Sequence, residues 1–151
     1  MLIRRLAGLA ILATLATAMG AESARAGDLE KLAGKWKAEN VGPERNIVVV
    51  LEIKADSKFT METTVAGTDR KQSVAGEIKL DEAAKPARID FLKAKGVIAG
   101  KPGERDLPNR LGLYKLDGDK LAVRAGETRP QAIEGEEAEK DLHLIKFQRV
   151  K

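Results

Sequence analysis

The chain contains no cysteine, and His143 is its single histidine among 151 residues. Without cysteine the chain has no disulfide and no thiolate for metal binding or nucleophilic catalysis. One histidine also leaves a zinc site short of its usual ligands, and no short catalytic motif surrounds His143. We therefore expect no metal, no cofactor and no enzymatic activity, with His143 in a structural or surface role.

Aromatic residues are also scarce, with three phenylalanines, one tyrosine and one tryptophan. Lysine and arginine number 27 against 23 aspartates and glutamates, and the two signs are interspersed along the chain. A nucleic-acid surface instead needs clustered basic residues with aromatic platforms. The composition therefore indicates a solvated surface without a nucleic-acid partner, and it disfavours a large aromatic ligand pocket.

The first 26 residues have the three-part organisation of a secretory signal peptide. Arg4-Arg5 gives a positive start, Leu6–Met19 is a run of apolar and small residues, and Ala24-Arg25-Ala26 offers small residues for cleavage. The run is shorter than the roughly 20 residues of a membrane-spanning helix, which argues against a retained anchor. We expect cleavage there, leaving residues 27–151 as one domain in the periplasm or outside the cell, with no membrane span.

Apolar residues in this domain recur at every second position, the period of a strand with one buried face. In Arg45–Lys54, for example, Ile47, Val49, Leu51 and Ile53 share one face. A short helical turn over Asp28–Leu32 precedes the strands. The predicted strands are Lys35–Val41, Arg45–Lys54, Lys58–Val65, Gln72–Leu80, Ala87–Phe91, Leu111–Leu116, Lys120–Arg124 and Leu142–Val150.

About eight evenly spaced strands with short turns predict an all-β fold, a single up-and-down antiparallel barrel, because closure removes exposed strand edges. Asp117-Gly118-Asp119 marks a hairpin, since glycine tolerates the positive φ of a tight turn. The inward face of the last strand stays open, because Leu142 and Leu144 point away from Ile145 and Phe147. The alternatives are a bulge and a strand that is covered on both sides.

A glycine- and proline-rich stretch, Lys93–Arg110, interrupts the strand pattern. Its length and composition predict a long surface loop at one mouth of the barrel. This stretch contains five basic residues that could attract an anionic ligand or an envelope surface: Lys93, Lys95, Lys101, Arg105 and Arg110. Lys101 and Arg105 are the candidate contacts for an anionic ligand or for an envelope protein. The alternative is a solvated loop without a binding role.

The barrel interior is the candidate ligand site. Eight strands enclose a space that is either filled by side chains or holds one small ligand, and the sequence leaves both outcomes open. The side chains expected to point inward and to form the candidate lining are Val49, Leu51, Phe59, Met61, Val74, Ile78, Ile89, Phe91, Tyr114 and Val123.

Gly34-Lys35-Trp36 follows the helical turn and opens the first strand. This segment resembles the Gly-x-Trp signature of lipocalins, in which a late arginine packs over the tryptophan at the closed end of the barrel. The resemblance implies that Gly34, Trp36 and Arg149 form the base of the barrel, with Arg149 stacked on Trp36 in a cation–π contact.

Three further motifs carry a closer resemblance. They are Lys85-Pro86-Ala87-Arg88-Ile89-Asp90, Gly112-Leu113-Tyr114-Lys115-Leu116-Asp117-Gly118-Asp119 and Arg129-Pro130. Together with the Gly-x-Trp start they resemble an uncharacterised family of lipocalin-like domains abundant in planctomycete bacteria. That family implies a lipocalin-like barrel but assigns no activity.

These observations predict an exported lipocalin-like domain that binds a small hydrophobic or amphipathic ligand at the barrel mouth. The alternative is a filled barrel whose loops contact another envelope protein and which binds no ligand. The two hypotheses differ in whether the interior holds a cavity.

Overall fold

Nine strands and one short helix form within residues 27–134 and 144–151, the part of the chain that this computed structural model describes. The predicted signal peptide, residues 1–26, and His143 lie outside the described residues. Within the described part, no helix combines the length and apolar character needed to cross a membrane.

The helix α1 covers residues 27–32. The strands are β1 Gly34–Val41, β2 Ile47–Ile53, β3 Lys58–Val65, β4 Lys71–Asp81, β5 Arg88–Ile98, β6 Arg105–Asp106, β7 Arg110–Asp117, β8 Lys120–Gly126 and β9 Leu144–Arg149.

Eight of these strands close into an antiparallel barrel, which confirms the predicted fold class. Around the barrel β1 to β5 follow in chain order, β7 to β9 continue, and β9 pairs with β1. The short β6 pairs with the end of β5 beside this ring. Alternation sets the inward face, as in β2, where Val49, Leu51 and Ile53 are buried.

The predicted loop Lys93–Arg110 was wrong for its first six residues, because β5 continues to Ile98. Lys93 has a φ of 51° and interrupts the pairing of β5 with β4, which makes it a β-bulge. The bulge changes the phase of alternation, so that Ala94 and Gly96 are buried while Lys93 is exposed. The loop between β5 and β7 is therefore shorter than expected and contains β6.

Gly76 of β4 lies opposite this bulge and allows a close approach of the two strands. A Cβ atom at Gly76 would lie 2.7 Å from the Leu92 carbonyl oxygen and 3.0 Å from Cε1 of Phe59. These distances are too short for any side chain. Glycine at this position therefore permits both the bulge and the packing of Phe59 behind it.

The two ends of the barrel differ. Helix α1 and the β7–β8 hairpin lie at one end, where five apolar side chains that are at most 1% exposed fill the interior. These are Leu32, Trp36, Ile53, Ile89 and Leu121. The β1–β2 and β3–β4 turns and residues 99–109 lie at the other end, which we call the mouth.

The last strand has one inward face in its described residues. Ile145 is paired with Val123, and Phe147 is paired with Leu121, so both point into the barrel. Phe147 is 3% exposed and belongs to the core. Between Leu144 and Gln148 the register with β8 runs without a bulge.

Candidate functional site

The structure brings Gly34, Trp36 and Arg149 together at the closed end. The guanidinium carbon of Arg149 lies 4.2 Å from the centroid of the Trp36 ring. The indole Nε1 donates a hydrogen bond of 2.8 Å to the Leu32 carbonyl, which fixes the ring against α1. A Cβ at Gly34 would lie 3.1 Å from Nη1 of Arg149, so glycine leaves room for the guanidinium.

Arg149 also binds the C-terminal end of α1. Its Nη1 donates to the Ala33 carbonyl at 3.1 Å, and its Nη2 donates to the Lys31 carbonyl. Its Nε lies 3.2 Å from Oδ1 of Asp119 in the β7–β8 hairpin. A cation that satisfies the free carbonyls at a helix C-terminus is stabilising. Arg149 therefore holds helix, first strand and hairpin together.

Tyr114 was predicted to line a ligand site, but the structure places it in a hydrogen-bonded network at the closed end. The ring is 3% exposed, and its hydroxyl donates to Oδ2 of Asp28 at 2.5 Å. The backbone N–H of Asp28 donates in turn to Oε1 of Glu82 at 3.0 Å. Burial, this hydrogen bond and the nearby carboxylates raise the pKa of Tyr114 well above its usual range. Tyr114 is thus a neutral donor that anchors α1.

A cavity of about 320 Å³ occupies the half of the barrel near the mouth. Six of the ten side chains in the predicted lining do line it: Leu51, Phe59, Met61, Val74, Phe91 and Val123. The other four do not line it: Val49, Ile78, Ile89 and Tyr114. The lining contains five further apolar residues that sequence reasoning did not single out: Leu107, Pro108, Ala125, Ile145 and Phe147.

Two aromatic rings form the floor of this cavity. Phe59 and Phe91 pack edge to face, with their centroids 5.0 Å apart and their planes at 78°. Ile78 is paired with Phe91, and Ile89 lies two residues nearer the closed end, yet neither lines the cavity. The interior is therefore filled below the two rings and open above them.

Gln72 and Arg110 are the two polar residues of the lining. Arg110 is paired with Phe91, and Gln72 is paired with Thr63 and Ile98. Directly opposed residues share one face of a sheet, so Arg110 lies on the inward face of β7 with Phe91. The site thus combines apolar walls with an arginine and an amide at the mouth.

The two predicted loop contacts do not line this cavity. Lys101 lies in the turn after β5, Arg105 lies in β6 opposite Gly96, and both are exposed. The loop instead contributes Leu107, whose backbone N–H donates to the Ala94 carbonyl at 2.8 Å. Arg110 belongs to the same basic stretch and is also exposed, but it lines the cavity, and its signal is its spacing of two residues from Gly112 along the inward face of β7.

Residues 127–134, which we call the outer strap, cross the outside of the barrel. Arg129 in this strap donates from Nη1 to the Gly112 carbonyl at 2.9 Å and from Nη2 to Oδ2 of Asp90 at 3.0 Å. The hydrogen bond to Asp90 raises the pKa of Arg129. The three motifs Lys85–Asp90, Gly112–Asp119 and Arg129-Pro130 therefore meet through structural contacts outside the cavity.

A second depression, of about 590 Å³, lies outside the closed end beside Asp28, Lys31 and Arg149. The side chains of Asp28 and Arg149 are already used there in the contacts to Tyr114, the helix and Asp119. Across the described residues, no group of three or more histidine, aspartate or glutamate side chains is arranged to hold a metal ion. The cavity at the mouth is therefore the better candidate site.

Comparisons of the chain with protein-family models, with curated proteins and with solved structures each found no match. The resemblance to lipocalin-like domains of planctomycete bacteria therefore stays a prediction.

Proposed function

We propose that this domain is an exported binding protein that holds one small hydrophobic or amphipathic molecule in the mouth half of its barrel. One observation carries the proposal: the interior is filled at the closed end but forms an apolar cavity of about 320 Å³ near the mouth. Sites for small molecules are concave, mostly apolar and about 300–1,000 Å³ in volume. The cavity lies at the small end of this range.

The division between a filled and an open half fits a carrier. Contacts of Arg149 and Tyr114 hold α1 over the closed end, so the mouth is the route by which a ligand enters. Water in contact with the cavity walls is unfavourable, and an apolar chain that replaces it removes apolar surface from solvent. The alternative, an interaction module that binds no ligand, requires a filled barrel and is favoured less for that reason.

A matched pair of substitutions tests this proposal. Val74 lines the cavity, whereas Val97 is 48% exposed on the outside of β5. We expect Val74→Phe to fill the cavity and to weaken binding of an apolar fluorescent dye about tenfold or more. Val97→Phe adds the same side chain outside and leaves dye affinity unchanged.

The result is read from dye titrations of both variants and the parent chain, with circular dichroism as a check on folding. Bound dye also raises the free energy of unfolding, by about 2.7 kcal/mol at a hundred times its dissociation constant. If the parent chain does not bind the dye, or if both variants bind it equally well, the proposal is wrong.

A further inference from the structure

We propose that the ligand is an anionic amphiphile, a single aliphatic chain with a carboxylate head, and that Arg110 binds this head at the mouth. The inference rests on the proposed function. It adds the chemical class of the ligand and the residue that recognises it.

The first observation that supports this inference is the position of Arg110 in β7. It begins the strand and is directly opposed by Phe91, whose ring forms part of the cavity floor. Gly112 and Tyr114 follow on the same inward face of β7. Arg110 accordingly lines the cavity, whereas an arginine one residue away would point outside the barrel.

The second observation is that the side chain of Arg110 has no charged partner among the described residues. Two exposed lysines of β4 and β5 pair with carboxylates, Lys71 with Glu62 at 3.0 Å and Lys93 with Glu77 at 3.5 Å. Within the described residues, the side chain of Arg110 has no hydrogen bond and no ion pair. Its positive charge is therefore available to a ligand.

The third observation is that the cavity lining contains polar residues but no acidic residue. Of the thirteen residues around the cavity, Gln72 and Arg110 are polar, and none is acidic. The arginine guanidinium has N–H donors and no acceptor, and its fork matches the two oxygens of a carboxylate. The Gln72 amide adds a further donor. An anionic head is complementary to this entrance, whereas a cationic head would meet Arg110 with like charge.

The volume of the cavity limits the length of the chain. A cavity of 150 Å³ lined by apolar side chains accommodates benzene, so 320 Å³ suits about a dozen non-hydrogen atoms. Decanoate has this size and the required head, and decanol has the same chain with a neutral head. Comparing the affinities of decanoate and decanol separates recognition of the carboxylate head from burial of the aliphatic chain.

The experiment measures dissociation constants of decanoate and decanol at neutral pH by displacement of the apolar dye. It uses the parent chain, Arg110→Gln, Arg110→Lys and Arg105→Gln. Arg105→Gln is the matched control, because it makes the same change in charge in β6 but lies outside the cavity lining. Circular dichroism checks that each variant is folded.

We expect the parent chain to bind decanoate at least tenfold more tightly than decanol. Arg110→Gln should lower the ratio of decanoate to decanol affinity about tenfold, since a charge-assisted hydrogen bond contributes on this scale. Arg110→Lys should recover part of the loss because it keeps the charge but not the fork. Arg105→Gln should bind both compounds as the parent does.

Two results overturn the inference while the proposed function stands. These are equal affinity of the parent chain for decanoate and decanol, and an equal loss of decanoate binding in Arg105→Gln and Arg110→Gln. A third result, in which neither compound nor the dye binds, overturns the proposed function as well.

Discussion

Arg129 lies across the outer surface of the barrel on Asp90, with Nη2 at 3.0 Å from Oδ2 and Nη1 at 2.8 Å from Oδ1. The side chains are 25% and 17% exposed, so the pair is shielded from solvent more than the other ion pairs of the described residues. It joins the outer strap to β5 and spans β7, whose Gly112 carbonyl also accepts from Arg129. The strap is therefore fastened to the side of the barrel through Arg129.

The contact between Arg129 and Asp90 should stabilise the fold. We expect Arg129→Ala to lower the free energy of unfolding by about 2 kcal/mol, because it leaves a shielded carboxylate and a carbonyl without their donor. Urea denaturation followed by circular dichroism measures this change. The control is Lys37→Ala, which removes an exposed ion pair with Glu39 and should cost less than about 1 kcal/mol. Equal losses in the two variants would contradict the account.

Arg149 should stabilise the closed end through its fork and its charge together. Arg149→Ala removes the contact with Trp36, the donors to the end of α1 and the pair with Asp119, and we expect a loss of about 2 kcal/mol. Arg149→Lys should not recover this stability, because lysine lacks the planar fork.

The measurement is urea denaturation followed by the fluorescence of Trp36, the single tryptophan of the chain. Lys146→Ala, at an exposed position of the same strand, should change the stability by less than about 0.5 kcal/mol. If Arg149→Lys is as stable as the parent chain, charge alone accounts for the role of Arg149.

Tyr114 should make the stability depend on pH in the alkaline range. Its pKa is raised in the folded chain, so folding favours the protonated phenol, and this contribution is complete below the unfolded pKa of about 10. As the pH rises beyond that value the contribution is lost, because the unfolded chain releases the proton more readily. Tyr114→Phe should therefore lose stability less steeply above that pH than the parent chain.

Because Tyr114 is the single tyrosine, its phenolate absorbance reports this group directly. We expect the absorbance to appear in the folded chain only at a higher pH than in the chain unfolded by urea. Coincident titrations in the two states would contradict the hydrogen bond between Tyr114 and Asp28.

The alternation of apolar residues predicted most of the barrel, because a two-residue period is a local property of each strand. The prediction failed at Lys93, where the bulge opposite Gly76 reverses the phase and resembles the end of a strand. A bulge depends on the neighbouring strand, so a pattern within β5 does not reveal it.

The site was predicted less completely, since its depth depends on contacts between distant parts of the chain. Tyr114 alternates like a lining residue, but Asp28, which lies 86 residues earlier, binds its hydroxyl at the closed end. Composition groups Lys101, Arg105 and Arg110 in one basic stretch, whereas the structure shows that Arg110 alone of the three lines the cavity. Composition identified a basic loop, and contacts formed only in the folded chain separate the arginine that lines the cavity from those that do not.

The central claim is that the cavity near the mouth holds a small molecule. Native mass spectrometry of the protein purified from the cells that make it, followed by solvent extraction, tests this claim most directly. The account predicts one small molecule per chain, released by the solvent and carrying an aliphatic chain with an acid group. A protein that has only the mass of its polypeptide, and keeps that mass after incubation with a lipid extract, would contradict it.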